Sequence, residues 1–104
     1  MSRVFMIPAV TAVVLLALAS GCGPVESTSV ILDAEAACAR AGVEHAEKVP
    51  EAAYYYFAAT QYLDKAKEEQ GYADFEIAID YGRKAKELAE KARSIAIAKS
   101  KPSE

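Results

Sequence analysis

Between Phe75 and Ala96 the chain places Phe75, Ala78, Gly82, Ala85, Ala89, Ala92 and Ala96 in alternating steps of three and four residues. That spacing is the seam of a helix packed on another helix; a half-buried strand would instead alternate every second residue. Tyr81, Leu88 and Ile95 each stand one residue before a seam position and widen the stripe. Asp74 is placed to cap this helix, and Asp74, Glu76 and Asp80 lie at its start. Lys91, Arg93 and Lys99 lie toward its end, which is the charge order the helix dipole favours.

A second seam precedes it. Ala52, Tyr56, Ala59, Leu63 and Ala66 follow the same spacing, which predicts a helix from about Pro50 to Gln70. Pro50 suits the first turn, and Gly71 is expected to end the helix. The two segments echo one another: Tyr62-Leu-Asp-Lys65-Ala66-Lys67-Glu68 returns as Tyr81-Gly-Arg-Lys84-Ala85-Lys86-Glu87. Two like helices joined at a glycine make a helical hairpin. Seams built of Ala and Gly allow the axes to approach near the lower end of the usual range of about 8–10 Å.

Upstream, Ser27, Thr28 and Ser29 offer caps for a helix from Val30 to Ala41, with Gly42 as its stop and the segment from Val43 to Pro50 as a linker. Laid on the open face of the hairpin, this helix completes an all-α fold, an antiparallel three-helix bundle over residues 30–99. Residues 100–104 read as a frayed tail.

The first residues carry a different signal. Arg3, the apolar run Val10 to Ala19 and the small residues Ser20-Gly21 before Cys22 have the order of a secretory signal. The run is short for a membrane span, which needs about 20 apolar residues. Ala19-Ser20-Gly21-Cys22 resembles the bacterial lipobox, although Leu18 stands one place earlier than the usual Leu. The resemblance implies a cleaved lipoprotein signal peptide at 1–21 and a diacylglyceryl group on Cys22. Residues 22–29 would then be a lipidated polar tether of at most about 25 Å. Multiple acyl chains give the stable anchoring that one chain does not. Gly23, where Asp would favour inner-membrane retention, leans toward an outer-membrane address facing the periplasm.

All 15 acidic residues and 11 of the 12 basic ones follow Cys22, so that part of the chain is mildly acidic, and no aromatic-basic pattern suggests nucleic acid. Basic residues nevertheless gather after Gly82. Lys84, Lys86, Lys91 and Arg93 form a candidate basic face toward anionic lipid or an acidic envelope polymer, weighed against a solvated helix end matched to its dipole. With Cys22 acylated, Cys38 has no partner for a disulfide within the chain; among Ala36, Ala37 and Ala39 it reads as a small buried apolar residue.

His45 is the only histidine, with Glu44 and Glu47 near it, too few strong ligands for a zinc site. No nucleophile elbow or Gly-rich loop is present, and an alanine seam leaves little room for a pocket. The chain is therefore expected to be no enzyme, to have no cofactor, no metal and no small-molecule substrate. The local cluster Tyr54-Tyr55-Tyr56-Phe57 points around more than one helix face. Tyr56 belongs to the seam and Tyr55 to its edge. Tyr54, Tyr55, Phe57 and Tyr62 are the candidate partner-binding residues, against the plainer reading of aromatics that enlarge a thin core.

From Pro50 to Ala98, the Tyr-rich turn, Tyr62-Leu63-x-Lys65-Ala66-x-Glu68-Glu69, Tyr72-x-x-Phe75-x-x-Ala78 and the alanine spacing resemble the domain-of-unknown-function 4398 family of small helical envelope proteins, often lipoproteins. The resemblance implies an architecture and an address, not an activity. Two others compete. Gly71-Tyr72-x-x-Phe75-Glu76-x-Ala78-Ile79-x-Tyr81 is similar to the second helix of a tetratricopeptide repeat, but one hairpin is short of the about three repeats such a solenoid needs. The lipidated alanine heptads resemble murein lipoproteins, which are trimeric coiled coils, but Pro50 and Gly71 interrupt them and the chain ends in Glu rather than Lys. The expectation is a membrane-anchored adaptor or structural module with an envelope protein partner or itself. The alternatives are a peptidoglycan- or lipid-contacting stability factor, a tetratricopeptide-like scaffold, and a redox or metal role through Cys38 or His45.

Overall fold

A computed structural model describes residues 2–101, without the side chains of residues 2–5 and 16–21. The lipobox side chains Leu18 to Gly21 and the tail residues 102–104 therefore lie outside the described residues. The described chain is all-helical: α1 (Ser2–Val43), a single 3₁₀ turn (Ala46–Lys48), α2 (Pro50–Gly71) and α3 (Phe75–Ser100), with no strand among the described residues. The three long helices pack together as a bundle.

Both expected seams are buried along their alanines. Ala52, Ala59, Leu63 and Ala66 of α2 and Ala78, Gly82, Ala85, Ala89, Ala92 and Ala96 of α3 are buried, with Tyr56 and Phe75 half-buried. α1 supplies a third seam with the same spacing, Ser27, Ile31, Ala34, Cys38 and Ala41. The interior divides into two clusters. One joins Ile31, Ala34 and Cys38 to Leu63, Ala66, Ala85 and Ala89; the other joins Ala41, Ala46 and Ala52 to Ala92 and Ala96. Half-buried Tyr62, Tyr81 and Leu88 close the first, and Val49, Tyr55, Tyr56 and Ile95 the second.

The alanine seam does bring the axes close. A β-carbon on Gly82 would meet Val30 Cγ1 at 2.7 Å, and one on Gly23 would meet Phe75 Cδ2 at 3.2 Å. Neither glycine has a positive φ, so close approach is the reason for them.

α1 differs from the expected element. It does not begin at Val30 behind a serine-threonine cap; it is continuous from Ser2, and the segment read as a tether is helical. Pro24 inside the helix supplies no N–H to the preceding turn. The hydroxyls of Ser27 and Thr28, expected to cap, instead donate backward to the Pro24 carbonyl at 3.1 and 2.8 Å. Tertiary packing decides the outcome, because Ser27 is fully buried and Gly23 lies against Phe75.

The helix ends also differ from the glycine stops. Gly42 lies within α1, and the left-handed residue that turns the chain is His45, at φ 55°. Gly71 is the last residue of α2, yet the left-handed position is Ala73, at φ 61°. There the Ala73 N–H donates to the Gln70 carbonyl at 3.0 Å and the Asp74 N–H to the Glu69 carbonyl at 2.9 Å. Those two bonds make a Schellman closure with alanine in the place glycine usually takes. Asp74 precedes α3 without a side-chain capping bond.

Candidate functional site

The end of the bundle at Cys22 is built from α1 and the α2–α3 turn. Gly23 packs on Phe75, the first residue of α3, and one turn later Ser27 faces Gln70 near the end of α2. The Gln70 amide donates to Ser27 Oγ at 3.0 Å and to Thr28 Oγ1 at 3.1 Å. Arg83 reaches Glu26 at 3.1 Å. An open groove of about 380 Å³ lies here, lined by Gly23, Glu26, Phe75, Ile79, Asp80 and Arg83. Cys22 is exposed at this end, one residue before Gly23. Before it, Met6, Ile7, Val10, Val13, Val14 and Leu15 are exposed apolar residues. Among the described residues no helix is long and apolar enough to cross a membrane.

The aromatic cluster is divided by helix geometry. Tyr54 and Phe57 are exposed, 73% and 55%, whereas Tyr55 and Tyr56 are half-buried against the second core cluster. The rings pair edge-on, Tyr54 with Tyr55 at 5.3 Å and Tyr56 with Phe57 at 5.6 Å between centroids. Tyr62 is not part of this patch. It meets Tyr81 at 5.8 Å, which is the echo of the two helices expressed as a contact. Gln61, Tyr62, Lys65 and Tyr81 line a shallow groove of about 340 Å³.

The four basic candidates do not share one face. Two-residue steps from Lys84 to Lys86 and from Lys91 to Arg93 turn the helix by about 200°, so Lys84 and Lys91 lie on one flank of α3 and Lys86 and Arg93 on the other. Lys91 Nζ sits 4.4 Å above the Tyr55 ring, a cation–π contact, and Lys84 pairs with Glu87 at 3.8 Å. The α3 end itself is tied to α2 by Lys99 and Glu51 at 3.2 Å.

Cys38 is buried, and that burial pushes its thiol above the ordinary thiol range; nearby Lys67 opposes the shift, while Asp64 and Glu35 add to it. Lys67 is held above its ordinary value chiefly by its hydrogen bond to Glu35, at 2.8 Å. His45 is exposed at the left-handed turn. Among the described residues no group of three or more His, Cys, Asp and Glu side chains is placed to hold a metal ion.

One surface was missed from sequence. Val25, Ser29, Leu32, Ala36, Ala39 and Val43 are all exposed on the side of α1 turned away from its buried seam. Their own three-four spacing is the available signal, weakened because Ser29 is polar and Ala36 and Ala39 are small. Comparison with known proteins gives no matching family model, no matching curated protein and no matching solved structure.

Proposed function

We propose that this chain is a non-catalytic bacterial envelope lipoprotein, acylated on Cys22 and resembling the domain-of-unknown-function 4398 family, whose antiparallel three-helix bundle serves as a structural or protein-interaction module at the outer membrane. The observation that carries the reading is a contrast within α1, on either side of the stretch that holds Cys22. Before it lie apolar residues with no packing role, Met6 to Leu15; after it, from Gly23 onward, the same helix is part of the bundle. A removable signal followed by an acylated residue accounts for both halves. The exposed Tyr54 and Phe57 supply the surface for a protein partner.

Intact-mass and peptide analysis of the membrane fraction tests this. The expected N-terminal peptide begins at Cys22 and carries diacylglycerol, and Cys22→Ala moves the protein out of the membrane fraction. An uncleaved chain, or an unmodified Cys22 in membrane-bound protein, defeats the reading.

A further inference from the structure

The exposed face of α1 has a specific occupant. We infer that it pairs with the same face of a second copy of this chain, side by side and in parallel. This goes beyond the proposed function, because the face lies on α1 and not at Tyr54 and Phe57 of α2, and it rests on that function only for the shared membrane.

The argument begins with spacing. Val25, Ser29, Leu32, Ala36, Ala39 and Val43 follow steps of four and three along one side of a helix whose other side is already packed. Val25, Leu32 and Val43 are 71%, 57% and 75% exposed, an unusual concentration of apolar side chains on an outward stripe. A stripe at this spacing matches another helix bearing the same repeat. Val43 then stands at an a position and Leu32 at a d position, which suits two strands, and Ser29 is a polar a residue that fixes alignment.

The charges beside the stripe choose the partner and its direction. In a parallel, in-register pair, Glu35 at a g position faces Arg40 of the other copy at the following e position, and the symmetry makes two such pairs. Arg40 has no ion pair within its own chain among the described residues. Glu35 binds Lys67 through Oε1, leaving its other carboxylate oxygen to accept from Arg40. The antiparallel arrangement that uses the whole stripe sets Val25 against Val43; it brings Glu26 to Arg40, but Glu26 is already held by Arg83, and it also sets Asp33 against Asp33 and Glu35 against Glu35, where like charges are repulsive. In the parallel arrangement both Cys22 residues lie at one end, so two anchors enter one membrane.

The test is cysteine cross-linking of the full-length protein in native membranes, with cross-linked peptides mapped by mass spectrometry. Val43→Cys is expected to give a 43–43 disulfide, and Ser94→Cys on the exposed side of α3 to give none. Adding Leu32→Glu to Val43→Cys should abolish the link, and the detergent-extracted protein should have twice the monomer mass. A mixture of Val25→Cys and Val43→Cys chains that links 25 to 43 instead, a mass of three chains, or a Val43→Cys yield no higher than that of Ser94→Cys overturns the inference. The acyl state of Cys22 is read from the same peptides, so failure of the anchor is seen separately from failure of the pair.

Discussion

Gly82 of α3 lies under Val30 of α1 so closely that a β-carbon at residue 82 would come within 2.7 Å of Val30 Cγ1. A helical glycine replaced by alanine ordinarily gains about 1 kcal/mol. Here the added methyl meets a stiff β-branched side chain, and overpacking costs about 1–3 kcal/mol. Gly82→Ala is therefore expected to lower the urea midpoint, and Val30→Ala to recover part of the loss in the double variant. Gly71→Ala is the contrasting control, because a β-carbon there meets nothing within 4 Å.

Ala73 turns the chain at φ 61°, a conformation that carries a penalty for any residue with a β-carbon. Ala73→Gly is expected to raise stability by about 0.5–1 kcal/mol, read from chemical denaturation. A loss would mean that the alanine methyl contributes packing that its exposure does not suggest.

These two positions mark where sequence reading succeeds and where it stops. The α3 seam from Phe75 to Ala96 was legible because a three-four spacing has one efficient solution, a helix against helices. The α2 span was legible for the same reason, with Pro50 fixing its start. The ends were not: a glycine suggests a left-handed stop, but the closures fall on His45 and Ala73 because packing sets the last turn. Nor was the start of α1, where Ser27 looks like a cap by composition and is a buried core residue by position. Of the candidate residues, Tyr54 and Phe57 both stand exposed, while the basic residues part onto two flanks because two-residue steps reverse a helix face.

The Gln70 side chain bridges to Ser27 and Thr28 of α1. Gln70→Ala should cost about 1 kcal/mol. Ser27→Ala should cost a similar amount, and the double variant less than the two together, since both remove the same bond. Thermal or urea unfolding of the four proteins measures the coupling; full additivity would show that the bond contributes nothing.

Burial disfavours the Cys38 thiolate, so folding stabilises the neutral thiol. A pKa raised in the folded state gives stability that is complete below the unfolded thiol's pKa and is lost as pH rises through the folded value. In a Cys22→Ala background, the urea midpoint should fall through the alkaline range more steeply with Cys38 than with Cys38→Ala. Lys67, also raised, loses its contribution in the same direction at still higher pH and is present in both proteins. Parallel curves would remove the assignment.

Glu51, in the first turn of α2, is held below the ordinary carboxylate range by its own backbone N–H first and by Lys99 second. A depressed carboxylate contributes stability above its unfolded pKa and loses it as pH falls through the folded value. NMR titration should place Glu51 below the ordinary carboxylate range, and Lys99→Met should recover part of the shift while leaving the backbone share. Because the pair is exposed, added salt should weaken the Lys99 share.

An interior of Ala59, Ala66, Ala85, Ala89, Ala92 and Ala96 is nearly the same surface every seven residues. One helix displaced along another by a full repeat lays alanine on alanine again, at little cost in shape. Such a core is a smooth rail, and what stops the slide must be the few places where it is notched. Ile31 and Leu63, the empty β-carbon site of Gly82 beneath Val30, and the Gln70 bridge to Ser27 are those notches. Substitutions there should therefore do more than weaken the fold: they should let the helices settle one repeat away, in a second alignment of the same chain.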